Sequence, residues 1–148
     1  MPYLENYRSD PQIALEGMIA DTSLATIVSR TVQSAALGFG KPVKLGTADR
    51  TVKNVEAGDT AIYGISVRTQ AAPAESVDTY PVGDTAAILL KGTIWVKVSV
   101  AVAPGDPVFV VVATGAFDKA TAAGKVQIAG ASYETTAAAN GLARVRII

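Results

Sequence analysis

Asp59, Asp84 and Asp106 each follow a glycine and precede an apolar run, in VEAGDTAIYG, YPVGDTAAILLKG and APGDPVFVVVATG, at intervals of 25 and 22 residues. Carboxylates that converge on a cleft can do acid–base work, and a glycosidase needs two of them about 5–10 Å apart. The same dipeptide does other work in a turn. There Gly takes backbone angles closed to other residues, and Asp accepts hydrogen bonds from nearby amides. Each Gly-Asp pair lies between two extended apolar segments, and Pro81, Pro104 and Pro107 stand close by. Turn chemistry therefore explains all three aspartates, and nothing in the sequence brings them to one cleft.

The remaining composition narrows the chemistry further. There is no His and no Cys among the 148 residues. Ser-His-Asp and Cys-His catalysis are excluded, as is zinc held by imidazole or thiolate, and neither a cofactor nor a metal is implied. Lys and Arg number 13 against 13 Asp and Glu, and the balance holds in each half of the chain. The basic residues are scattered singly and aromatics make up only 6%, so no nucleic-acid partner is expected. The longest apolar run, VFVVVA at 108–113, is far too short to span a bilayer, and MPYLENYRSDPQIALEG lacks the apolar core of a signal peptide. A hydrophobic content of 49% with only 18% charged residues is high for a small free-standing domain and is explained either by surface that meets a partner or simply by an Ala- and Val-rich core.

The elements that would position any site are strands. In TIWVKVSV, Ile94, Val96, Val98 and Val100 alternate with Thr93, Trp95, Lys97 and Ser99, the period of a half-buried strand. AIYGISVRT, TAAILLK (85–91), PVFVVVAT (107–114), KVQIAGA (125–131) and LARVRII (142–148) read the same way, and 107–114 is apolar on both faces. TSLATIVSRTVQSA (22–35) fits a helix capped by Thr22 or Ser23, but its β-branched density favours a strand, followed by a turn and short strand in GFGKPVKLG. The expected fold is all-β: one compact, mainly antiparallel β-barrel or sandwich over residues 21–148.

Residues 1–20 have no strand period, contain Pro2 and Pro11, and carry Tyr3, Leu4, Tyr7, Ile13 and Leu15. Disordered tails are usually poorer in such side chains, so this segment reads as an extended N-terminal arm that docks on something else. About 20 extended residues reach roughly 65 Å.

The succession IALEGMIADTS, GFGKPVKLG, VEAGDTAIYGISVR, YPVGDTAAILLKGTIWVKV, AVAPGDPVFVV and YETTAAANGLARVRI resembles the structural cement, or capsid decoration, proteins of tailed bacteriophages, from about Ile13 to the C-terminus. The resemblance implies a non-enzymatic virion protein, made in the host cytoplasm, that binds the outer surface of an icosahedral capsid. It implies the major capsid protein as partner and a homotrimer at local three-fold positions, and it brings no catalytic residue. Tyr3, Leu4, Tyr7, Ile13, Leu15 and Trp95 are then the candidate capsid or subunit contacts. The alternative is a carbohydrate- or receptor-binding β module of a virion, in which Trp95, on the polar face of its strand, would be the stacking platform.

Overall fold

The computed structural model describes residues 14–69 and 78–148. No helix occurs among them. The strands are β1 (Thr26–Val32), β2 (Leu37–Gly38), β3 (Pro42–Leu45), β4 (Thr51–Asn54), β5 (Gly64–Ser66), β6 (Thr79–Tyr80), β7 (Thr85–Lys97), β8 (Pro107–Val111), β9 (Ala116–Asp118), β10 (Lys125–Tyr133) and β11 (Leu142–Ile147). The ambiguous 22–35 segment is thus a strand at its centre. TAAILLK and TIWVKVSV, read above as two strands, are one continuous strand of 13 residues, because Gly92 between them pairs with Ile147 instead of turning the chain.

That strand organises everything else. The sheet order β1-β4-β3-β5-β7 closes on itself through a β1–β7 ladder, which makes a first ring of five strands. The sheet continues β7-β11-β10-β8-β9, and a bridge from Val98 to Phe117 brings β9 back to the end of β7. Between barrel and sandwich, the outcome is a barrel. Pairing is antiparallel everywhere except the short β1–β4 contact and the Val98–Phe117 bridge.

Two hydrophobic cores follow from the two rings. Val32, Leu37, Phe39, Val43, Val52, Tyr80, Ala86 and Ile88 form the first. The second contains Ile65, Leu89, Ile94, Val96, Val98, Val108, Val110, Phe117, Tyr133 and Val145, among others. Ile88 and Leu89 are adjacent and both fully buried, yet they enter different cores, so the first half of β7 is a wall between them. Val108 and Val110 of the apolar 107–111 strand are buried, while Phe109 and Val111 are half-buried, so its second face is only partly covered.

The three Gly-Asp pairs are one turn used three times. In 56–59, 81–84 and 103–106 the aspartate N–H donates to the carbonyl three residues earlier, at 3.1 Å in each case. Gly58, Gly83 and Gly105 sit at φ 92, 90 and 90°, the left-handed angle that the third position of a type II turn requires. The carboxylates differ. Asp59 Oδ2 accepts from Glu56 N (2.6 Å) and Asp106 Oδ2 from Ala103 N (2.9 Å), whereas the matching position for Asp84 is Pro81, which has no N–H to give.

On the face of β9 opposite the second core, one buried carboxylate is held by its partners. Asp118 Oδ2 lies 2.6 Å from Lys125 Nζ, its Oδ1 accepts from the amides of Lys119 (2.6 Å) and Ala120 (3.3 Å), and Tyr133 Oη donates to its carbonyl (2.8 Å). Burial alone would raise the Asp118 pKa, but Lys125 and the two amides outweigh it and hold the carboxyl below its ordinary range.

Three expectations follow. Gly83→Ala should cost about 1 kcal/mol, read as a fall in thermal midpoint of about 2–4 °C, because the angle is strained although no atom lies within 4 Å of the added methyl. Asp84→Asn should leave the midpoint unchanged within about 0.5 kcal/mol. Asp118→Asn should cost about 2–3 kcal/mol at neutral pH by stranding Lys125. Because the folded-state pKa of Asp118 is depressed, its contribution is complete above the unfolded value of 3.8 and disappears as pH falls through the lower folded value. Urea midpoints of the two proteins should therefore converge as pH falls below about 4.

Candidate functional site

Residues 14–20 are short of β-formers, yet they are tied to the body by backbone. Gly17 N donates to Trp95 O (2.8 Å), Trp95 N to Met18 O (2.9 Å) and Ala20 N to Thr93 O (2.9 Å), so the segment lies as a strap along β7. Gly17 O accepts from Arg68 N (2.7 Å), which joins the strap to the chain leaving β5. The approach is close enough to need glycine on both sides. A Cβ on Gly17 would lie 2.7 Å from Gly40 N and 2.9 Å from Arg68 N, and one on Gly40 would lie 2.6 Å from Gly17 N.

Charged side chains fix both ends of the strap. Glu16 pairs with Lys41 (3.1 Å), and its carbonyl takes Arg68 Nε (2.8 Å). Arg68 also pairs with Asp78 (2.5 Å) and lies over the Phe39 ring, 4.9 Å from its centroid. At the other end Asp21 pairs with Arg144 (2.5 Å) on β11, which Glu134 approaches at 3.7 Å. The Ser23 hydroxyl and amide, with Arg144, hold the Asp21 carboxyl below its usual range against partial desolvation. The strap leaves Leu15 at 40% and Met18 at 39% exposure, two large apolar side chains on a segment otherwise pinned down.

Leu15 and Trp95 therefore fall in one neighbourhood. Trp95 is half-buried, with its backbone engaged by Gly17 and Met18, and Thr93 on the same strand face is buried. Tyr3, Leu4, Tyr7 and Ile13 lie outside the described residues. Sequence reading missed the Gly17–Gly40 contact, whose only signal was a glycine in each of two unpatterned stretches. It also missed Ser66, a fully buried hydroxyl that donates to Gly38 O (2.5 Å) and accepts from Lys41 N (3.0 Å).

Two of the three turn carboxylates are engaged in local structure. Asp59 closes its own turn and pairs with Lys44 (2.8 Å), and Asp106 closes its own turn with Lys119 at 3.9 Å. Asp84 caps nothing, but its backbone carbonyl accepts from Val32 N. Among the described residues no group of three or more acidic side chains is placed to hold a metal ion.

Residues 3–148 match the family described as "Structural cement protein (E217 gp24/Pam3 gp6)". The chain belongs to this phage cement family. A chain in the solved structure "The capsid of Myoviridae Phage XM1" is similar over 99% of this chain and 98% of its own, with a TM-score of 0.81 at 19% identity, which shows a shared fold. The structure "The crystal structure of head fiber gp8.5 N base in bacteriophage phi29" matches at a TM-score of 0.45 and 10% identity over 84% of this chain and 95% of its own. No curated protein sequence matches. As a cement protein, the chain is a structural virion component that associates with the capsid. The carbohydrate-binding alternative finds no support, and Trp95 is only partly available as a platform.

The glycine contact gives a test of the strap. Gly17→Ala should cost about 2–3 kcal/mol, more than the turn glycines, because both backbone angle (φ 80°) and space oppose it. Limited proteolysis should then cut near residues 16–20 before the body unfolds. Equal midpoints for Gly17→Ala and Gly83→Ala would mean that the strap yields without cost.

Proposed function

We propose that this cement protein sits on the outer surface of an assembled icosahedral shell and bridges neighbouring copies of the major capsid protein, as a trimer at three-fold positions and without a catalytic step. The strap carries the reading. It ties residues 17–20 to β7 through three backbone hydrogen bonds and leaves Leu15 and Met18 exposed beside them, so a reaching segment of residues 1–13 would pass its load into β7. Thirteen extended residues reach about 43 Å. Tyr3, Leu4, Tyr7 and Ile13 supply the apolar contacts of the reaching segment, and Leu15 and Trp95 those of its root. Many such modest contacts, repeated over a symmetric lattice, give firm attachment without any single strong site.

Charge agrees with a protein partner. Lys41, Lys44, Lys53, Arg68, Lys125 and Arg144 are each within ion-pair distance of a carboxylate, so these cations form no basic field for nucleic acid. Synthesis in the host cytoplasm, followed by addition to the finished shell, suits a chain without Cys.

Co-sedimentation with empty, expanded shells of the cognate phage tests the reading. The intact protein should pellet with shells at saturating, symmetry-determined occupancy, and absence from the pellet would overturn it. Deleting residues 1–12, which stops short of the buried Ala14, should lower the thermal midpoint by no more than about 2 °C while occupancy falls at least tenfold. Unchanged occupancy would place attachment on the β body alone.

A further inference from the structure

The most exposed large apolar side chains among the described residues are Leu24, at 98%, and Ile148, at 73%, and both line one crease. The crease, about 360 Å³, lies between the segment entering β1 and the end of β11, beside Lys91 and Gly92 of β7. It is where one ladder on β7 stops and another starts: Thr26 is opposite Lys91, and Ile147 is opposite Gly92. Two cations flank it. Lys91 is exposed and has no ion pair among the described residues, and Arg146 has only Glu134, at 3.9 Å.

A free strand edge runs out of the crease. From Thr26 to Arg30, β1 is paired with β7 alone. The first outward backbone bond comes at Thr31, whose N–H donates to Arg50 O (2.9 Å). By the two-residue alternation of an antiparallel strand, the N–H groups of Ile27 and Ser29 face the same way and have no partner there among the described residues, while the Ser29 carbonyl on that edge is held by Arg30 Nη1 (2.9 Å), a side chain that an incoming strand displaces. Ile27 is itself 45% exposed. An unprotected edge beside an apolar crease is the arrangement that accepts an extended guest strand, with main-chain bonds giving affinity and the crease giving selectivity.

We infer that this crease and edge receive an extended segment of a coat subunit that carries an apolar side chain, for the slot between Leu24 and Ile148, and a nearby carboxylate, for Lys91 and Arg146. A two-fold pairing of copies through this face would set these cations against one another, and like charges at an interface oppose association, whereas a heterologous contact around a three-fold axis is separated from the coat by the self-association arm of the test. The inference rests on the capsid-binding reading and adds where and by what chemistry the coat is held.

The test measures binding of the full-length protein to empty expanded shells for Leu24→Ser, Lys91→Glu and Ser29→Pro, alongside thermal midpoint and sedimentation velocity without shells. Leu24 is almost wholly exposed, so its replacement leaves the fold intact. Leu24→Ser should weaken apparent shell affinity roughly tenfold. Lys91→Glu should weaken it roughly fivefold and flatten its dependence on salt. Ser29→Pro deletes an N–H that no strand uses and should reduce occupancy more than it reduces the midpoint. Wild-type affinity in both Leu24→Ser and Lys91→Glu, with the wild-type protein still bound, would overturn the inference and leave the capsid reading standing. Loss of self-association by these variants in the absence of shells would assign the crease to a second copy, including its residues 1–13, and overturn the coat assignment. Failure of the wild-type protein to bind would remove the capsid reading and the inference together.

Discussion

The structure depends on β7 serving two cores at once. A strand has two faces, and strict alternation would send Ile88 and Ile94, six residues apart, to the same side. They enter different cores. The inversion is built at the middle of the strand. The ladder with β1 skips from Lys91 to Leu89 across Thr26 and Ile27, which leaves Leu90 as a bulge, and Gly92 takes φ 128°. A bulge twists and re-aims a strand, and here it rotates the faces by one residue so that Leu89 and Ile94 share a core. Without that step, either Ile94, Val96 and Val98 or Ala86 and Ile88 would point the wrong way, and one ring would lose its filling.

The same bend leaves an opening beside β7. Where β1 leaves β7 and β11 joins it, the ladders cannot meet end to end, and the gap is the crease of Leu24 and Ile148. On the other edge of the second half of β7, the strap of residues 17–20 pairs with Thr93 and Trp95. Both the root of the amino-terminal segment and the open crease are thus set by a single strand. Load applied at either is carried along the most extensively paired element of the molecule, and rigid positioning of contact residues lowers the entropy lost on binding.

Much of this was legible from residue types. The strands read over 93–100, 125–131 and 142–148 followed from alternation, the one over 107–114 from its density of β-branched residues, and the Gly-Asp turns from what those two residues do to backbone. What alternation could not carry was any place where it breaks. Gly92 reads as punctuation between two strands, and only its pairing with Ile147 shows that the chain runs straight through it. Ser66 reads as the solvent face of a strand, but it is fully buried because Gly38 and Lys41 of a distant segment need its hydroxyl. The strap was hidden for a related reason. Its pairing with β7 is made by main chain, which every residue possesses, and the close approach depends on the absence of side chains at Gly17 and Gly40.

Near-neutral net charge and an apolar-rich composition acquire a structural sense from the way edges are disposed. Closing both rings removes most strand edges, which are the usual route to unwanted sheet-to-sheet association. The carboxylates and cations are spent locally, at Asp118–Lys125, Asp59–Lys44 and Asp21–Arg144, so they leave little long-range field to steer or repel a partner. Among the described residues, the features left open are the outer edge of β1 and the crease beside it. Weak individual sites of this kind become strong only where a repeating lattice presents several of them at the right spacing.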